Sequence, residues 1–182
     1  NPVLKVCDIP AMVDIAQRHN IMCIIDNTFA SPWACQPLSM GVDLVIHSTT
    51  KYLGGHSDII GGAVVGGKDH ISQIFARKIH FGGSPDPHNC YLLERGMRTL
   101  HVRMPLLSAN AMEISKRLEA HPLIEKVNYP GLESHDDYEV AQRVMPRGSG
   151  MVAFVVKGGD AAALKFMRGL DIIYEATSLG GV

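Results

Sequence analysis

Two short polar groups in the sequence have the residue types needed for covalent chemistry. Lys51 follows Ser48 and Thr50, and Asp26 ends an apolar run that begins at Ile21. A free lysine has a pKa of about 10.4, so its amine must be desolvated or placed near cations before it reacts at neutral pH. A lysine beside hydroxyl groups, at a strand end of a parallel sheet, is what an aldehyde cofactor with a phosphate arm requires.

Each of these residues has a task in such a site. Lys51 would supply the amine. Ser48 and Thr50 are separated by one residue, so in an extended segment their hydroxyls project to the same side and can donate together to phosphate oxygens. Asp26 would pair with a ring nitrogen and keep it protonated, because a protonated ring stabilises a carbanion on the substrate.

The same residues, taken singly, have ordinary explanations. Lys51 alone could be a solvated surface lysine. Asp26, followed by Asn27, could be a turn or cap residue. Ser48 and Thr50 are common residue types at strand ends. Only their combination indicates a site.

The surrounding pattern predicts an α/β fold with a mainly parallel sheet flanked by helices. Asp8 can cap a helix that runs to Arg18, and the apolar runs Ile21 to Asp26 and Val42 to Ile46 predict buried strands. Such sheets bind ligands at the carboxyl ends of their strands. We therefore expect Asp26 and the Ser48 to Lys51 group to lie at one edge.

The rest of the sequence predicts more helices, and after about residue 120 it predicts short alternating strands and helices. We expect a large domain over residues 1–119 and the beginning of a smaller α+β domain over residues 120–182, with 131–137 as an exposed loop. The further expected strands are Ala63 to Val65, Ile124 to Tyr129 and Met151 to Val156. The further expected helices include Ile71 to Ile79, Pro87 to Leu100, Pro105 to Ala120, Tyr138 to Met145 and Ala161 to Arg168.

Composition narrows the class of partner. The 17 basic and 18 acidic residues nearly cancel and are scattered, so we expect a small-molecule partner, with no nucleic acid and no membrane. The four cysteines and nine histidines lack metal-ligand or disulfide spacing, so we expect no metal site and reduced thiols in the cytoplasm. A P-loop-like run ends at Lys68 but continues with Asp69, which would repel phosphate.

Several segments together resemble a known family. Ile25–Phe29, His47–Tyr52 and Gly54–Asp58 read Ile-Asp-Asn-Thr-Phe, His-Ser-Thr-Thr-Lys-Tyr and Gly-Gly-His-Ser-Asp. They are similar to the signature of the Cys/Met-metabolism enzymes that depend on pyridoxal 5'-phosphate. The resemblance continues through Asp86–His88, Arg95–Leu100, Val127–Leu132 and Ser178–Gly181, so it covers nearly the whole chain.

The resemblance implies a fold and a set of site residues. The fold would be the type I fold of pyridoxal-phosphate-dependent transferases. Lys51 would form the Schiff base with the cofactor and move protons, and Asp26 would pair with the ring nitrogen. The other implied contacts are phosphate with Ser48 and Thr50, the ring hydroxyl with Asn1, and the substrate carboxylate near Ser178.

The resemblance also implies an activity and an assembly. We expect a carbon–sulfur lyase of transsulfuration that eliminates from cystathionine or methionine, in a homodimer or homotetramer with shared active sites. One alternative is a γ-replacement transferase, such as cystathionine γ-synthase or O-acylhomoserine sulfhydrylase. An alternative of another class is a noncatalytic fragment or scaffold subunit.

Other parts of the family's site have no counterpart in this sequence. These are the phosphate-binding glycines, the tyrosine stacked on the ring, a tyrosine and an arginine from a neighbouring subunit, and a later carboxylate-binding arginine. We therefore expect a chain that is incomplete at both ends. Thr177 stands where some cystathionine-processing members have glutamate, which leaves the substrate open.

Overall fold

The computed structural model describes residues 1–176 and 178–181, and it has the expected α/β character. A 3-10 turn covers Pro37–Met40 and a π-helical turn covers Thr49–Leu53. The strands are β1 (Ile24–Asp26), β2 (Leu44–Ser48), β3 (Gly62–Gly66), β4 (Ile124–Asn128) and β5 (Ala153–Val156). The helices are α1 (Ile9–Arg18), α2 (Ser31–Ala34), α3 (Lys68–Phe81), α4 (Pro87–Met97), α5 (Leu100–Glu119), α6 (Tyr138–Val144) and α7 (Gly159–Arg168).

The first sheet is mixed, which corrects the expectation of a mainly parallel sheet for the described residues. Its order is β1-β2-β3, with β1 parallel and β3 antiparallel to β2. The connection from β2 to β3 contains the π-helical turn and no crossover helix. A parallel pair needs a long crossover to return the chain to its starting edge, so here the chain runs back in the opposite direction.

Helix α1 covers one face of this sheet, and the sequence explains where the helix begins and which of its residues are buried. The Asp8 carboxylate accepts a hydrogen bond from the Ala11 amide at 3.3 Å, and Pro10 lies in the first turn. Ile9 and Val13 are buried in one apolar cluster that also holds Cys23, Cys35, Val42, Val45 and Val144. The predicted helix and its cap are confirmed.

The second sheet is the antiparallel pair β4 and β5, packed against α5. Ala111 of α5 shares an apolar cluster with Val127, Tyr129 and Leu132. The Tyr129 side chain is fully buried, and its hydroxyl donates to the Ser149 carbonyl at 3.1 Å. A buried phenol with a satisfied hydroxyl fixes the segment after β4 against the rest of the chain.

The part of the chain that follows β4 also contacts the residues before and at the start of α1. Arg143 forms an ion pair with Asp8 at 2.8 Å, and Lys5 forms one with Asp136 at 3.0 Å. The expectation of an exposed loop over 131–137 is wrong at Leu132 and His135, which are buried, whereas Glu133, Ser134 and Asp136 are exposed. Leu132 belongs to the apolar cluster of Val127 and Tyr129. The division of the chain into domains at residue 120 stays a prediction.

Helix α5 begins earlier than its sequence suggests. The sequence predicts a helix start at Pro105, since proline is favoured in a first turn, but α5 already begins at Leu100. Pro105 lies inside the helix and has no amide hydrogen to donate. Its neighbour Met104 is fully buried. Within the described ranges, no helix has the length and apolar character needed to cross a membrane.

A close approach between α4 and the loop after Lys51 gives a first prediction. A Cβ on Gly96 would collide with the Gly54 carbonyl oxygen. We expect Gly96→Ala to destabilise the intact protein by about 1–3 kcal/mol, although alanine favours a helix over glycine by about 1 kcal/mol. Urea unfolding of the intact protein measures the change.

Gly67→Ala is the matched control for this prediction. A Cβ on Gly67 meets no atom within 4 Å among the described residues, and its backbone φ of −62° suits any residue. The two variants should therefore differ clearly in urea midpoint. Equal midpoints would show that the contact between Gly96 and Gly54 is not tight.

Candidate active site

Lys51 lies in a tight turn directly after β2. The strand ends at Ser48, and the π-helical turn follows, with Lys51 itself outside helical geometry at φ −94° and ψ −130°. The Gly55 amide donates to the Lys51 carbonyl at 2.8 Å, and the Gly54 amide donates to Thr49 at 2.9 Å. The extended geometry expected beyond Ser48 is therefore wrong.

The structure brings Lys51 and Ser178 together. The Lys51 Nζ donates a hydrogen bond to the Ser178 hydroxyl at 2.7 Å. Gly180 permits this approach, because its φ is +81° and a Cβ there would lie 3.0 Å from the Tyr52 amide nitrogen and 3.2 Å from the Lys51 carbonyl carbon. The Gly-rich segment 178–181 thus packs on the backbone that carries the amine.

Asp26 and Ser48 lie at the carboxyl ends of neighbouring parallel strands. Asp26 is opposite Ile46 in the sheet, so Ser48, two residues further along β2, projects to the same face. Thr28 connects the two strand ends: its amide donates to Asp26 Oδ1 at 2.9 Å, and its hydroxyl accepts from the Ser48 amide at 2.8 Å. This matches the common edge expected from the sequence.

Thr50 has a different environment from Ser48. Its hydroxyl accepts a hydrogen bond from the Gly61 amide at 3.0 Å and donates to the Gly61 carbonyl at 3.4 Å. A phosphate oxygen could replace the longer of the two bonds, because the hydroxyl can then donate to it while still accepting from Gly61. The role of Thr50 in phosphate binding stays a prediction.

Asn1 and Asp26 line one cavity of about 270 Å³ beside β1. The Asn1 side chain accepts from the Lys5 amide and donates to the Lys5 carbonyl, both at 2.9 Å. This local pairing orients the amide and leaves its second N–H available. Cys35 also lines the cavity, and burial raises the pKa of its thiol to about 11, which keeps it protonated.

Two titratable neighbours of Lys51 are held neutral by burial. Desolvation lowers the pKa of His47, although the charge of Asp26 opposes this, and His47 Nδ1 is buried with no hydrogen-bond partner among the described residues. Burial raises the pKa of Tyr52 to about 12. Neither residue therefore adds a charge near the amine at neutral pH.

The family model for Cys/Met metabolism PLP-dependent enzymes matches residues 1–182, and the chain belongs to this family. The conclusion agrees with the site described above, in which a carboxylate and a hydroxyl lie at neighbouring strand ends and an amine follows in the next turn.

Individual relatives have several activities. The chain is 43% identical to L-methionine gamma-lyase of Porphyromonas gingivalis, over 99% of this chain and 46% of that protein. It is 42% identical to cystathionine gamma-lyase of Dictyostelium discoideum, over 100% of this chain and 47% of that protein. It therefore spans about half the length of the curated relatives it matches.

The fold is also similar to a solved structure. Cystathionine gamma synthase of Xanthomonas oryzae pv. oryzae, in complex with aminoacrylate and cysteine, gives a TM-score of 0.97 at 38% identity. The match covers 100% of this chain and 47% of that chain. The described residues therefore have the arrangement of the corresponding part of that enzyme.

The donor set fits pyridoxal phosphate. The cofactor needs an amine for its aldehyde, an anion for its ring nitrogen and hydrogen-bond donors for its phosphate. Asp26 and Ser48 offer two of these groups at one edge of the first sheet, and Lys51 offers the amine in the turn that follows β2. The cavity beside Asn1 and Asp26 is not lined by Lys51 or Ser48. Lys51 is half-buried, and Ser48 lies on the same sheet face as Asp26.

Thr28 is a site residue that the sequence analysis did not single out. Thr28→Val keeps the side-chain shape but removes the acceptor of the Ser48 amide, a loss of about 1–3 kcal/mol for an unpaired buried group. We expect the intact protein to lose stability in urea and to release its cofactor faster on dialysis. Thr28→Ser keeps the hydroxyl and should stay close to the parent in both measurements. If Thr28→Val releases cofactor no faster than Thr28→Ser, the link between the strand ends is unimportant.

Proposed function

We propose that the intact protein is a pyridoxal-phosphate-dependent carbon–sulfur lyase of transsulfuration, which eliminates from cystathionine or methionine. The observation that carries the proposal is the placement of the Lys51 amine 2.7 Å from the Ser178 hydroxyl. Because the chain belongs to a family of pyridoxal-phosphate-dependent enzymes, we assign this amine to the covalent attachment of the cofactor.

Lys51 would do two tasks in succession. It would hold the cofactor covalently, and after a substrate amino acid displaces it, the freed amine would take the proton from the substrate's α-carbon. When bound, the cofactor withdraws electrons from that carbon. Ser178 accepts a hydrogen bond from the amine and so fixes where the proton is received.

The other site residues would bind and orient. Asp26 would keep the ring nitrogen protonated, and its position is held by the Thr28 amide. Ser48 and Thr50 would donate to the phosphate, and Asn1 would hydrogen-bond the ring hydroxyl. The neighbourhood of Ser178 would hold the substrate carboxylate.

The wider architecture is part of the same proposal. The intact protein would have the type I fold of these transferases, with a large domain over 1–119 and the beginning of a smaller one over 120–182. It would form a homodimer or homotetramer with shared active sites. We further propose a cytoplasmic enzyme, which is supported by four free cysteines.

A γ-replacement transferase is the second candidate. It is supported by the similarity to a cystathionine gamma synthase structure, while Thr177, where some cystathionine-processing members have glutamate, leaves the substrate open. Thr177 lies outside the described residues. Elimination and replacement share the removal of the α-proton by Lys51, so the described geometry serves both.

Replacing Lys51 tests whether it carries the cofactor. The intact protein with pyridoxal phosphate should absorb visible light and appear yellow, and Lys51→Ala should lose that band and nearly all turnover. Lys116→Ala, an exposed lysine change on α5, should retain both. A colourless parent protein would contradict the enzymatic proposal and favour the scaffold alternative.

Product analysis separates the two catalytic candidates. With cystathionine or methionine, a lyase should release a keto acid and ammonia in equal amounts. With an activated homoserine and a thiol, a transferase should keep the substrate's amino group in its product. Release of ammonia only as a minor product beside replacement would reject the lyase in favour of the transferase.

A further inference from the structure

The side chain of Arg103, on α5, contacts the backbone of the Lys51 turn. Its Nη2 donates to the Tyr52 carbonyl and to the Gly96 carbonyl, both at 3.0 Å. Its Nε donates to the Thr99 hydroxyl at 2.9 Å. One guanidinium therefore joins the turn after β2 to the junction between α4 and α5.

The Arg103 guanidinium can approach the backbone after the Lys51 turn only because the residue there is a glycine. A Cβ on Gly55, whose φ is +75°, would collide with the Arg103 guanidinium. A Cβ on Gly96 would likewise collide with Gly54. The guanidinium and α4 thus both lie directly against backbone, so a small shift of Arg103 must move the turn or open a gap.

The Arg103 guanidinium is held by three hydrogen bonds although one of its nitrogens has no partner in the described part of the chain. Arg103 is half-buried, and its Nη1 is buried with no hydrogen-bond partner among the described residues. Burial lowers the pKa of Arg103, yet an arginine stays charged at neutral pH. A buried donor left unpaired costs about 1–3 kcal/mol, and the three bonds that Arg103 makes offset that cost.

The shape of the side chain matters as well as its charge. A guanidinium is a planar fork that can reach two carbonyls and a hydroxyl at once, whereas an ammonium is a compact point charge. The segment Arg95–Leu100, which is part of the family resemblance, supplies two of the partners, Gly96 and Thr99. Lysine at position 103 would keep the charge and lose the fork.

We propose that Arg103 is a positioning residue for Lys51: its guanidinium fixes the turn Thr49–Leu53 so that the Lys51 amine stays at Ser178. The inference rests on the proposed function only in that Lys51 is the reacting amine. The position of the turn itself does not depend on the cofactor.

The test compares Arg103→Lys and Arg103→Ala with Arg117→Lys in the intact protein. Arg117 is an exposed residue of the same helix, and it pairs only with Glu113 among the described residues. Hydrogen exchange is measured in the peptide that covers residues 49–55. Cofactor content, the circular dichroism of the visible band, kcat and KM are measured on the same samples.

We expect both Arg103 variants to exchange faster in residues 49–55, and Arg117→Lys to match the parent. Per bound cofactor, kcat of Arg103→Lys should fall about tenfold to a hundredfold, as expected for a displacement of about 1 Å. Its KM should stay within about threefold, and the dichroism of the visible band should weaken. A purely structural loss would lower the amount of active enzyme and leave these values per bound cofactor unchanged.

Two results would overturn the proposal. One is unchanged exchange in residues 49–55 in both Arg103 variants. The other is faster exchange with unchanged kcat and unchanged dichroism per bound cofactor. Failure of the proposed function would instead appear as a parent protein without a visible band or turnover, and the exchange measurement would still decide whether Arg103 holds the turn.

Discussion

Close backbone packing around Lys51 is the constraint on which the site depends. The turn Thr49–Leu53 is approached by α4 at Gly96 and by the segment 178–181 at Gly180, at distances that leave little or no room for a Cβ. Lys51 itself departs from helical geometry inside the turn, and its amine meets Ser178 at 2.7 Å. Packing of this density transmits small displacements, so distant residues can decide where the amine lies.

Burial removes two possible charges from residues in the turn or close to it in sequence. His47 and Tyr52 are neutral because burial shifts their pKa values away from neutrality in opposite directions. Asp26 is then the anion at the sheet edge, and Arg103 is the cation held against the turn. The Lys51 amine contacts Ser178 and the Asp26 carboxylate contacts the Thr28 amide, so these hydrogen bonds do not pair the two groups with each other.

Local patterns in the sequence predicted most of the helices and strands. Asp8 and Pro10 marked the start of α1, and the apolar runs ending at Asp26 and before Ser48 marked β1 and β2. The expectation of a buried strand from Ile21 was wrong, because β1 covers only Ile24–Asp26 and both of its ends are exposed. The common edge of Asp26 and Ser48 followed from the rule for parallel strands. These features depend on neighbours in sequence, and so they are readable there.

The predictions from sequence were wrong where contacts between residues distant in the chain determine the structure. The antiparallel β3 and the buried loop at Leu132 depend on which surface each segment meets, and the turn after Ser48 depends on packing by α4 and the Gly-rich segment. Thr28 and Arg103 act through hydrogen bonds to backbone groups far along the chain, and such partners leave no periodic pattern. Only the resemblance indicated that Ser178 belongs with Lys51.

The most direct measurement of the central claim is to locate the covalent bond between protein and cofactor. Borohydride reduction of the intact protein loaded with pyridoxal phosphate makes that bond permanent, and mass spectrometry of a digest then identifies the modified residue. The account predicts one modified residue per chain, Lys51, with trypsin no longer cleaving after it. Modification at another lysine, or none at Lys51 in a loaded protein, would contradict the account.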